Sequence, residues 1–133
     1  MMEQVYIRGF LGGIVGLLGY LIGALDAMVM ALIAMMGIDF ATGIIKAAVF
    51  KEVSSQKMFL GGARKIGMFF IVAVANLIDG ILDLNGVLRT VTLAYFIANE
   101  GISMLENWSL LGLPIPKKLR DILLQLKDKG SGA

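Results

Sequence analysis

The stretch GFLGGIVGLLGYLIGAL (residues 9–25) carries Gly9, Gly12, Gly16, Gly19 and Gly23 at alternating steps of three and four residues, without a single charge. In a water-exposed helix each glycine costs about 1 kcal/mol relative to alanine. A seam of five is therefore out of place in a soluble fold. In a bilayer no water competes for the backbone, and helices associate through close contact between small residues. The average step of about 3.5 residues keeps the seam on one face and favours a left-handed crossing. The stretch reads as a membrane helix shaped for contact with another helix.

Composition agrees. A chain of 133 residues is enough for one small domain. It is 58% hydrophobic and 17% charged, with a mean hydropathy of +0.84. So short a chain cannot enclose that much apolar surface, which makes lipid the natural solvent. Cysteine and histidine are absent, which excludes disulfides, thiolate or imidazole metal ligands and the commonest general bases. The nine methionines read as adaptable apolar filling. A cleaved secretory signal is the rival reading of the first segment, with Arg8 ahead of an apolar run. Leu25 and Asp26 then stand where small residues would mark a cleavage site.

A hydrocarbon core about 30 Å thick needs roughly 20 helical residues. Four segments approach this: 8–25, 26–50, 65–83 and 88–108. The expected fold is an all-α integral membrane protein with about four transmembrane helices in a membrane domain of residues 1–108. Gly23 and Asp26 bound a short first turn, and Asn85-Gly86 closes the third helix against the fourth. The 46–65 connection holds Lys46, Lys51, Lys57, Arg64 and Lys65 against Glu52 alone. The C-terminal stretch holds Lys117, Lys118, Arg120, Lys127 and Lys129 against Asp121 and Asp128. By the positive-inside rule both termini and the middle connection are expected on the cytoplasmic side. Lys51, Lys57, Arg64, Lys65, Lys117, Lys118 and Arg120 would then sit at the inner leaflet.

Beyond Trp108 the run 110–116 breaks the helix at Pro114 and Pro116. In KKLRDILLQLKDK, Leu119, Ile122, Leu123 and Leu126 fall at i, i+3, i+4 and i+7 with charges opposite. This basic amphipathic helix, in a tail of residues 109–129, is expected to lie on the inner leaflet or to fray as a solvated tail. Residues 130–133, GSGA, resemble a linker.

Ionisable groups at membrane depth are expensive and normally face protein or water. Asp39, Thr42 and Lys46 share a helix face, with Lys46 able to snorkel and Asp39 left to find another helix. Asn76, Asp79 and Asp83 form a stripe on the third helix. Asn99, Ser103 and Glu106 form one on the fourth, beside Glu100 and Asn107. Only ten uncharged residues separate Arg89 from Glu100, so the fourth helix would insert poorly alone. Its polar stripe either lines an aqueous lumen in an assembly or makes an interhelical hydrogen-bond cluster. A relay through Asp39 and Glu100 lacks an evident basic partner at that depth. Gly61-Gly62 follows no strand and reads as a turn, not a phosphate loop. No constellation suggests hydrolysis and no aromatics interleave the lysines as nucleic-acid binding would want. Neither an enzyme nor a cofactor is expected.

The segments 35–47 (MMGIDFATGIIKA), 60–79 and 88–123 resemble the toxin-secretion/phage-lysis holins, a family of phages of Gram-positive bacteria also found beside clostridial toxin genes. The resemblance covers about residues 26–126. It rests on Asp39 with Thr42-Gly43, Asn76 with Asp79, Tyr95 through Glu100, and Leu113-Pro114 with Pro116. Phe40 departs from it, since tyrosine is more usual there, and the glycine-rich span matches only loosely. The resemblance implies a bacterial cytoplasmic-membrane protein that partners with itself and with lipid. It would form lesions that release an endolysin or toxin without needing direct contact with it. A small transporter or channel, and a non-conducting scaffold, are the alternatives. Replacing Gly16 and Gly19 with leucine should weaken self-association and delay lysis; unchanged crosslinked oligomers and unchanged timing would show the seam to be idle.

Overall fold

The computed structural model describes residues 1–132, and among them five helices and no strand: α1 (Met2–Ile22), α2 (Ala27–Val49), α3 (Ser55–Leu82), α4 (Val87–Leu110) and α5 (Lys117–Ser131). Three of them, α1, α2 and α3, are long and apolar enough to cross a membrane. The fourth expected span, α4, carries Arg89, Glu100 and Glu106 and does not qualify by composition. It is nevertheless the hub of the bundle, packed on α2, α3 and α5. At the centre lie Val29, Leu32, Val72 and Leu93, all fully buried. The surfaces of α1, α2 and α3 are apolar: Phe10, Ile33, Phe70 and Ile81 are among many large side chains left exposed.

The third helix begins ten residues earlier than expected. Ser54 caps it, its hydroxyl accepting the Lys57 N–H at 3.4 Å, and Met58, Phe59 and Leu60 continue the apolar character. Lys57, Arg64 and Lys65 therefore stand on a helix rather than in a connection, and Gly61-Gly62 is helical rather than a turn. The 28 residues span about 42 Å at helical rise. Asp26 caps α2 in the same way, accepting from Val29 at 3.1 Å.

The turns at the end opposite the basic connection are tied by side chains. Gly23 ends α1 at φ +96°, and a Cβ there would lie 2.6 Å from both Arg89 Nε and Asn76 Oδ1. Gly23 thus belongs to a turn, not to the helix seam. Asn76 donates to the Tyr20 and Leu21 carbonyls at 3.2 and 3.0 Å. Arg89 donates to the Ile22 carbonyl, to Asp26 Oδ2 at 2.8 Å and to the Ala24 carbonyl at 3.0 Å. Together they meet the orphan carbonyls that any helix end leaves. Asp79 accepts the N–H groups of Leu88 and Arg89 at 2.9 and 2.8 Å, so it caps α4 across the Asn85-Gly86 turn. Asn76 and Asp79 are accordingly structural ties within the chain. Asp83, exposed, closes α3 in the left-handed region.

α1 is attached only there. Gly9, Gly12 and Gly16 have no atom within 4 Å of where a side chain would begin, and an apolar groove of about 370 Å³ separates its last turns from Ile33 of α2 and Phe69 of α3. Among the described residues the glycine seam from Gly9 to Gly19 has no partner within one chain.

α5 is amphipathic as expected, but it lies along α4 instead of standing apart. The 130–133 linker is also corrected: Gly130 and Ser131 are helical, and Gly130 abuts Tyr95 so closely that a side chain would not fit. Ala133 lies outside the described residues.

Asp79→Ala should lower stability by about 2 kcal/mol, the scale of charge-assisted hydrogen bonds, read as a lower Tm of the detergent-solubilised protein. Hydrogen bonding from Arg89 holds the Asp26 carboxyl below its ordinary value. A depressed folded-state pKa gives stability that is present above the unfolded value and lost as pH falls through the folded one. Tm should therefore drop below roughly pH 4, and Asp26→Asn should flatten that dependence.

Candidate functional site: an ion cluster inside the bundle

Asp39 sits midway along α2, Lys65 on the third turn of α3 and Glu100 midway along α4. The bundle brings them together. Lys65 Nζ lies 2.8 Å from Asp39 Oδ2 and also pairs with Glu100. The side chains are 13%, 16% and 4% exposed for Asp39, Lys65 and Glu100 respectively. Asn107 extends the cluster, donating to Thr42 Oγ1 at 3.0 Å and to Asp39 Oδ1 at 3.4 Å. Thr42 in turn donates to the Asp39 carbonyl at 2.9 Å. Every buried side-chain polar atom among the described residues has a partner, as a low-dielectric interior demands.

This corrects the reading of Lys65 as an inner-leaflet cation. It is the basic partner that Asp39 and Glu100 were expected to lack. The sequence signal was faint: Lys65 opens the long uncharged run of the third helix, the place where a lysine also marks a helix end. Two carboxylates against one ammonium leave the cluster formally one negative charge in excess.

A cavity of about 300 Å³ runs from the cluster towards the basic end, lined by Asp39, Lys65 and Ser103 and, further out, by Lys46, Glu52 and Lys57. Lys46, half-buried, lies on it without contacting Asp39, as two helical turns of separation require. Lys51, Arg64, Lys117, Lys118 and Arg120 are exposed: Lys51 follows α2, Arg64 adjoins Lys65 on α3, and the other three stand in the first turn of α5. On α4, Asn99 and Ser103 are half-buried and Glu106 is exposed, beside a groove shared with Ile115 and Arg120. Glu100 and Asn107, which flank these residues in the sequence, turn into the bundle and are buried. In the sequence Arg89 stands out only as the bound of the uncharged run of the fourth helix; the clue to its role is that α1 ends without a basic residue in its last turn.

No group of residues among those described could hold a metal ion. A charged cluster satisfied by side chains, inside a bundle whose first three helices present apolar outer faces, marks a helical membrane protein.

The chain belongs to the bacteriophage holin family, whose model matches residues 16–128. It is 49% identical over 86 residues to a probable holin of Bacillus phage phi105, covering 65% of this chain and 64% of that protein. It is 44% identical over 92 residues to the uncharacterised protein YqxH of Bacillus subtilis, covering 69% and 66%. It is also 44% identical over 95 residues to an uncharacterised 14.9 kDa protein from the nagH 3′ region of Clostridium perfringens, covering 69% and 70%. The chain thus spans just under two thirds of the first two of these relatives. No solved structure matches. The family is one of membrane proteins without enzymatic activity, and so is this chain.

Removing Lys65 alone leaves two buried carboxylates facing each other. Breaking such a buried pair costs about 3–5 kcal/mol, so Lys65→Met should sharply reduce accumulation and Tm. Adding Asp39→Asn and Glu100→Gln to it should restore most of the loss; no recovery would mean that Lys65 acts by packing, not charge.

Proposed function

We propose that this chain is a pore-forming holin that assembles with its own kind in the bacterial cytoplasmic membrane. The resulting lesions release an endolysin or a toxin from the cytoplasm. The observation that carries this reading is the division of the molecule into two sides. α1, α2 and α3 offer hydrocarbon-compatible faces, whereas α4 carries Thr92, Asn99, Ser103 and Glu106, spaced to share one stripe, on a helix too polar to face lipid. A lone copy hides its worst charges in the Asp39–Lys65–Glu100 cluster. Crowding gives the remaining polar stripe a place in water, between copies.

In this reading α4 crosses the membrane as a fourth span, and the 46–65 segment and both termini belong to the cytoplasmic side, as the basic residues there favour. The unpartnered seam of α1, from Gly9 to Gly19, supplies contact between copies. Lysines at the basic end meet anionic headgroups, each worth about 1 kcal/mol near the surface. The exported enzyme or toxin needs only an opening, not a binding site.

Controlled expression in a bacterium should produce sudden collapse of membrane potential together with leakage of a cytoplasmic marker enzyme. Continued growth with an intact potential, at confirmed membrane expression, would refute the proposal.

A further inference from the structure

The last helix lies where a tail on the membrane surface would not. After the break at 111–116, with Gly112 at φ +87°, α5 turns back and runs antiparallel to α4. Leu123 fills the space over Gly101, next to Met35 of α2. Gly130 abuts Tyr95, and Lys127 Nζ stands 6.0 Å from the Tyr95 ring centroid. These pairings set depth. Met35 is in the middle of α2, and Tyr95 is fifteen residues, about 22 Å, from the end of α4. By this register Arg120 and Asp121 lie inside the bundle towards the basic end, Arg120 sharing a groove with Glu106 and Ser109, whereas Gln125, Asp128 and Lys129 flank the mid-level of α4.

Those five side chains are exposed. Hydrocarbon at the level of Asp121 and Asp128 would leave their carboxylates unsolvated, and side chains this short cannot snorkel. The contacts that hold α5 are close ones, glycine against side chain at both Gly101 and Gly130. The outward side of α5 must then meet water.

We infer that α5 stays on α4 within the membrane and forms the inner wall of the aqueous lumen. The lumen's surface is then the α5 face bearing Arg120, Asp121, Gln125 and Asp128, beside the α4 stripe. This rests on the pore reading above and changes it in one respect: the C-terminal helix is a lining, continuous with cytoplasmic water, not a surface anchor.

The chain has no cysteine, so single substitutions report cleanly. Purified Asp121→Cys, Gln125→Cys and Leu123→Cys proteins, reconstituted in dye-loaded phosphatidylglycerol-containing vesicles, are treated with a bulky, membrane-impermeant, cationic methanethiosulfonate. Leakage should fall several-fold for Asp121→Cys and Gln125→Cys and stay unchanged for Leu123→Cys, which is covered by α4. A surface-lying α5 would be modified, shown by the mass of the protein, yet leave leakage unchanged, which overturns the inference and spares the pore. Equal block at Leu123→Cys would mean that α5 has left α4, and overturns it too. Absence of leakage from the unsubstituted protein would remove the pore itself.

Discussion

One ammonium holding two carboxylates from two other helices is the constraint around which this bundle is organised. Lys65 joins α2 and α4 to α3 at a depth where none of the three charges tolerates isolation. Buried ion pairs add little net stability over well-packed apolar residues, because desolvation offsets the attraction. They are, however, intolerant of misalignment. The cluster therefore selects one arrangement of three helices more than it strengthens it. Asn107 finishes the selection, donating from α4 to both Asp39 Oδ1 and Thr42 Oγ1 of α2.

The helical class, the Asn85-Gly86 turn and the amphipathic periodicity of α5 were all readable from residue order, since each is a local property. Partnership between helices was not. Asp39 announces that it needs a partner but not which one. Lys65 looks like any lysine bordering a span, and its 35-residue separation from Glu100 carries no local trace. The start of α3 was missed because charges at Lys57 and Arg64 suggest a connection, whereas Ser54 supplies a cap and the intervening apolar residues keep helical turns satisfied. Asp79 was grouped with Asp83 by spacing, yet one is buried against the start of α4 and the other is exposed. The position of α5 was hidden for a different reason: an apolar stripe on a basic helix fits a lipid surface and a protein groove equally well, and only the glycine at 101 opposite Leu123 separates the two.

The sides of the molecule differ in what they ask of their surroundings. Beyond Arg8, α1 is apolar all round and is tied to the rest of the chain at its C-terminal end, so it suits lipid or another copy equally. α4 and α5 suit neither hydrocarbon nor, in a single chain, full solvation. A molecule with both kinds of face is comfortable only among neighbours, which is the physical content of the proposed assembly.

The knot around Arg89 also bears on how the chain is made. The carbonyls at the end of α1 wait for a guanidinium 67 residues downstream of Ile22. During synthesis α1 is therefore made well before its fastener, which belongs to a helix three elements later. Closure of the bundle is a late event, completed after α4 arrives, and the early chain lives for a time as two loosely joined rods.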